Sequence, residues 1–161
     1  MAVQQRLKSN LFFAKVKQIV MKRYLAVDLG EKRVGLAISD PSLTIAQPLK
    51  TVNFKTTEKL FQEIEVLITS YSVEKIIVGL PLTMKGTYSQ KTREVEETIR
   101  LMRERFPVGV EAFDERLTTV QAEATLRAMG KKPSRERKRI DQLAAVHLLQ
   151  CFLDCRSAGR G

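Results

Sequence analysis

The stretch "YLAVDLGEKRVGLAISD", residues 24–40, decides the fold. Leu25, Ala26, Val27 and Leu29 read as a buried strand, Glu31 to Arg33 as a tight turn, and residues 34–39 as an antiparallel partner. A carboxylate, Asp28, interrupts the apolar run of the first strand. Burying an unpaired charge costs several kcal/mol, so a strand meant only for packing would not place one there. Something has to compensate it: a cation from the protein, a bound metal, or a backbone bend that returns the carboxylate to water.

Working outward, a third extended run at 44–53 completes a meander. From Thr56 or Thr57 the spacing turns helical, with Leu60, Ile64, Leu67 and Ile68 as an apolar stripe to about Ser70. A short strand follows from Glu74 to Gly79, closed by Pro81. A second helix fits Gln90 to Arg105, with Val95, Ile99 and Met102 inward, and residues 108–113 form the next strand. Thr118 and Gln121 make a capping box that starts a helix ending at Gly130, a suitable C-terminal stop. The last helix runs from about Arg137 to Cys155 on Ile140, Leu143, Ala144, Leu148 and Phe152. This order predicts an α/β chain: a mixed five-stranded sheet flanked by helices, antiparallel in its first three strands and parallel afterwards.

At 161 residues the chain suits one domain. Hydrophobic content of 43% beside 29% charged residues is ordinary for a soluble globular protein, no apolar run suggests a membrane span, and a cytoplasmic location is expected. Cys151 and Cys155 form no disulfide framework. The formal charge of +10 is unevenly spread. Residues 1–27 carry six basic side chains and no acid, and residues 127–139 carry seven against Glu136 alone. Such concentration suits a polyanion, nucleic acid or an anionic membrane surface, although it also serves solubility. Residues 1–21 form a basic extension outside the fold, because "MKRYLAVDLG" from Met21 reads as a natural start.

Acids from distant segments converge in this topology. Asp28 lies near the end of the first strand, Asp114 and Glu115 follow the last, and Asp141 rides a helix whose positions at i+4, i+7 and i+11 are Ala145, Leu148 and Phe152. Like charges gathered in a partly buried place repel unless a cation intervenes. Carboxylate oxygens suit Mg²⁺, which binds phosphate oxygens at the same time, and such sites hydrolyse phosphodiesters. Each acid also has a structural reading: Asp28 paired with Lys32 or Arg33, Asp114 capping the turn before Thr118, Asp141 favoured by its helix dipole.

Four motifs in order, "AVDLGEKRVGLAISD", "IIVGLPLTMKGTYS", "FDERLTTVQAEATL" and "RIDQLAAVHLLQCFLD", resemble the YqgF family, described as Holliday junction resolvases and as pre-16S ribosomal RNA nucleases of ribonuclease H-like fold. The resemblance covers residues 22–155 and leaves 156–161 as a C-terminal tail. It implies that Asp28, Glu115 and Asp141 are the catalytic, metal-binding set, with Mg²⁺ or Mn²⁺ as cofactor and Asp114 as the nearest substitute. Arg116 would sit beside the scissile phosphate or brace the acids. Precursor rRNA becomes the expected partner, contacted by Lys32, Arg33, Arg116, Lys131, Lys132, Arg135, Lys138 and Arg139, with a ribosomal partner and no membrane. Branched DNA is the alternative substrate, and the chain would act as a monomer or a homodimer, the latter favouring junction resolution. The chain departs from the family in residues 1–21 and in "KGTYSQ", which lacks a second glycine after Gly86.

Other classes fit less well. A DxG hairpin also opens the actin, Hsp70 and sugar-kinase fold, but those proteins hold nucleotide between two such domains, about twice this length. Gly79 and Gly86 flank "LPLTMK" without the GK[ST] of a phosphate loop. His147, Cys151 and Cys155 align at i, i+4 and i+8, yet a structural zinc site needs a fourth ligand from elsewhere. A noncatalytic nucleic-acid-binding or regulatory protein, with structural acids, is the remaining class.

Overall fold

The computed structural model describes residues 21–83, 85–114, 127–130 and 137–159, and of 137–141 the backbone alone. Strands β1 (Arg23–Leu29), β2 (Arg33–Ser39) and β3 (Ala46–Asn53) form the expected meander. Helix α1 (Thr57–Tyr71), strand β4 (Val73–Leu80), helix α2 (Gln90–Arg105), strand β5 (Gly109–Asp114) and helix α3 (Arg137–Ala158) follow. The sheet order is β3-β2-β1-β4-β5. β1 pairs antiparallel with β2 and parallel with β4, and β4 parallel with β5, so the mixed sheet is as the sequence predicts.

Side chains alternate across a strand, and the two faces of β1 bury different cores. Leu25, Val27 and Leu29 pack with Leu60, Ile64, Val95, Ile99 and Met102 beneath α1 and α2. Tyr24 and Ala26 pack with Ala145, Leu148, Leu149, Phe152 and Leu153 beneath α3. Small residues on the second face, Ala26 opposite Ala37 and Asp28 opposite Gly35, let α3 lie close to the sheet.

Local chemistry explains the ends. Thr56 caps α1, its hydroxyl accepting from the Lys59 amide, and Ser72 stops it in a left-handed conformation at φ 52°. Ser89 and Thr92 cap α2 reciprocally. Gly130 has φ +71° and its amide donates to the Arg127 carbonyl, so it ends the preceding turn as expected. The remainder of the helix expected at 118–130 lies outside the described residues. Pro48 is tolerated because β3 is an edge strand and the register slips between Leu36 and Ala37, where a bulge falls. α3 continues to Ala158, three residues past its expected end.

Candidate active site

Asp28 is the sixth residue of β1 and is half-buried. It faces Gly35 across the antiparallel pair, and one residue beyond the Val27–Val78 pair it comes level with Gly79. The carboxylate is therefore flanked on both neighbouring strands by residues without side chains. By alternation it belongs to the face of Tyr24 and Ala26, which α3 covers.

α3 runs antiparallel to β1 over that face. Phe152 packs edge-on against Tyr24, with ring centres 6.0 Å apart, at the start of β1. Gln150 accepts from the Ala46 amide at 2.9 Å and donates to the Thr44 carbonyl, fixing the same end of the helix to β3. From Phe152 back to Asp141 the helix rises by about 16 Å. From Tyr24 to Asp28 the strand advances by about 13 Å. The backbone position of Asp141 is thereby carried to the end of the sheet where Asp28 lies.

Gly79 pairs with Phe113 and Leu80 with Asp114, so β5 delivers its last residues to that same end. Asp114 falls on the alternation of Val110 and Ala112, which pack beneath α1 and α2, and so starts from the face opposite Asp28. Phe113 belongs with the α3 face, its ring 5.5 Å from Phe152. Glu115, next in the chain, lies outside the described residues, as do Arg116, Lys131, Lys132 and Arg135. Lys138, Arg139 and Asp141 are described by backbone only. Lys32 is exposed in the β1–β2 turn and Arg33 opens β2, half-buried. Among the described residues no group of three His, Cys, Asp or Glu side chains could hold a metal.

The turn beside Asp28 explains Gly30. Its amide donates to the Arg33 carbonyl at 2.9 Å, and a Cβ added there would stand 2.5 Å from that oxygen. The glycine of the DxG stretch is therefore needed by the hairpin itself.

The loop between β4 and α2 rises from the same end of the sheet and is tied at both ends. Thr92, fully buried, donates to the Pro81 carbonyl while capping α2 with Ser89. The Thr83 and Thr87 hydroxyls bond at 2.6 Å, and the Gly86 amide donates to the Thr83 carbonyl, leaving Lys85 and Tyr88 exposed. A hydrogen bond to Glu96, reinforced by its charge, raises the Tyr88 phenol above its ordinary range. The anchoring escaped the sequence reading, although S-x-x-T before a helical run is a variant of the capping-box signal.

On α3 the Cys151 thiol is pushed up by burial, then by Asp154 and Cys155, while Cys155 is exposed. Among the described residues the buried His147 Nε2 has no hydrogen-bond partner. That trio is not brought together as a metal site.

Comparison with known proteins adds the family context. A family model described as "RuvX: Holliday junction resolvase" matches residues 22–155. A protein of Chloroflexus aurantiacus named "Putative pre-16S rRNA nuclease" is 42% identical over 132 residues, covering 82% of this chain and 86% of the relative. A solved structure titled "T. thermophilus RuvC in complex with Holliday junction substrate" superposes with a TM-score of 0.54 at 17% identity, covering 85% of this chain and 96% of that one. The Fowlpox virus resolvase, solved with Holliday junction DNA, gives 0.51 at 11%, covering 83% and 98%. At such identities the structural likeness speaks to the fold, which is ribonuclease H-like.

Proposed function

This chain belongs to the RuvX family, and on that footing we propose that it trims the 5′ end of precursor 16S rRNA with divalent metal held by Asp28, Glu115 and Asp141. It is a nuclease, hydrolysing phosphodiester bonds. The observation that carries the site reading is the placement of Asp28: half-buried at the end of β1, level with Gly35 and Gly79, under the helix that bears Asp141. Three carboxylates from separate segments make an all-oxygen, hard donor set, which fits Mg²⁺ and accepts Mn²⁺. A divalent ion bound there would supply Lewis-acid polarisation of the phosphate and a water of lowered pKa.

The chain's own residues hold and orient. Asp28, on a buried strand, gives the ligand set its rigid member. Asp114 starts from the opposite sheet face, which leaves Glu115 as the acid proposed from β5. Lys32 and Arg33 present positive charge beside Asp28, and Arg116, Lys131, Lys132, Arg135, Lys138 and Arg139 extend the path for the phosphate backbone. Residues 22–155 form the nuclease domain between a basic extension and a short tail. No helix among the described residues is long and apolar enough to cross a membrane, and we place the work in the cytoplasm, on rRNA in the company of ribosomal proteins.

The test is Asp28→Asn. Divalent-dependent cleavage of a precursor-rRNA fragment is expected to be lost while binding stays near the parent's. A variant that cuts as well as the parent would sink the three-acid site. The family description favours a second reading, in which the substrate is a four-way DNA junction. Symmetric cuts in such a junction by a two-fold dimer would favour it, whereas an active monomer on rRNA alone would not.

A further inference from the structure

Behind the catalytic face, at the same end of the sheet, a cavity of about 400 Å³ opens between the end of β1, the end of β3 and the starts of α1 and α2. Its floor is apolar: Leu29, Phe54, Leu60 and Val95. Its rim carries Glu31, Glu94 and Lys91. Leu29 directly follows Asp28, so one strand end separates the cavity from the acid, and the Gly30 turn is the ridge between them.

We propose that this cavity receives one unpaired nucleobase of the strand whose backbone lies across Asp28. The inference rests on the nuclease reading and adds to it a base-binding subsite. An apolar floor that includes an aromatic ring suits the flat face of a base. Two carboxylates against one ammonium make the rim a poor seat for phosphate, since like charges repel. The same carboxylates accept hydrogen bonds from the exocyclic amino groups of adenine, cytosine and guanine. Uracil, which lacks such a group, is the base least served by this rim. The subsite thus favours a substrate with an unpaired, amino-bearing base beside the bond to be cut.

The experiment titrates uncharged nucleosides into isotope-labelled protein and follows the amide resonances of Glu31, Thr57 and Glu94. Adenosine, cytidine and guanosine are expected to shift them, uridine more weakly, and inorganic phosphate not at all. Thr98→Phe, which places a ring in the cavity from its half-buried rim, is expected to weaken nucleoside binding about tenfold, the scale of one base–aromatic stack. Glu94→Gln, at an exposed position that leaves packing untouched, is expected to narrow the gap between adenosine and uridine. Shifts that map elsewhere, that phosphate reproduces, or that survive Thr98→Phe in a folded protein overturn the proposal. Asp28→Asn protein is expected to keep the nucleoside shifts. Loss of the pocket reading and loss of the three-acid reading are therefore separate results.

Discussion

Asp28 and Gly30 stand two residues apart and are constrained by different forces. The aspartate is held half-buried by a strand whose residues 24–27 and 29 are core, a costly place for a charge that the proposed metal site would put to use. The glycine is held by a hairpin that leaves 2.5 Å to the Arg33 carbonyl oxygen. Because the obstructing atom is backbone, it moves only by opening the turn. Gly30→Ala should therefore cost about 1–3 kcal/mol, as overpacking in a closed site does. It should also displace Asp28 from its register with Gly35. Urea unfolding gives the first quantity, and cleavage per folded molecule gives the second. An alanine variant as stable and as active as the parent would mean that the turn yields freely.

Among the elements, strands and helices were legible in the sequence because their periodicities report burial directly. The inward residues read from α2, Val95, Ile99 and Met102, are all buried; in α1 Leu60, Ile64 and Leu67 of the expected stripe are buried with Phe61 added, and Ile68 is partly buried against them. Loops were less legible, because what fixes them is a set of hydrogen bonds from single side chains. Asp40 shows this between β2 and β3. One carboxylate oxygen accepts the Thr44 and Ile45 amides at 2.8 Å each, and the other accepts the Ser42 amide at 3.0 Å and the Ser42 hydroxyl. Burial works to raise its pKa, but the Ile45 amide, the Ser42 hydroxyl and the Thr44 and Ser42 amides outweigh it and hold the carboxyl well below its ordinary 3.8. A group depressed in the folded state stabilises above its unfolded pKa, and the contribution fades as pH falls towards the folded value. Asp40→Ala should cost about 2 kcal/mol at pH 7, the scale of charge-assisted hydrogen bonds lost from one carboxylate. Below about pH 4 the gap between parent and variant should narrow, as unfolding at a series of pH values would reveal. A gap independent of pH would assign the effect to packing instead.

At the scale of the whole molecule, the sequence offers the candidate site as a set of acids, and the structure describes the place of only some of them. Pattern predicts Asp28, Glu115 and Asp141 at one end of the sheet; the strand register and the antiparallel run of α3 carry Asp28 and the backbone of Asp141 there, and Glu115 lies outside the described residues. That Asp114 starts from the other face was beyond the sequence reading, because a "DE" pair after a strand does not declare where the strand ends. The same architecture separates two features: Asp28 belongs to the sheet face that α3 covers, and the cavity opens on the other. The +10 balance is concentrated in residues 1–27 and 127–139, and the proposed RNA path makes a measurable demand of it. Phosphate contacts release counterions, so affinity for single-stranded RNA should fall with log salt at a slope of about −0.7 per contact. Replacing Lys131, Lys132, Lys138 and Arg139 together by glutamine should reduce that slope by about three, if each contacts one phosphate. The loss should be nearly uniform across sequences, because backbone contacts position without specifying. At low salt and saturating RNA the variant should still cut, since none of the four belongs to the acid set. Binding isotherms at several salt concentrations decide the matter: an unchanged slope would remove the 127–139 cluster from the RNA path and leave its charge to solubility.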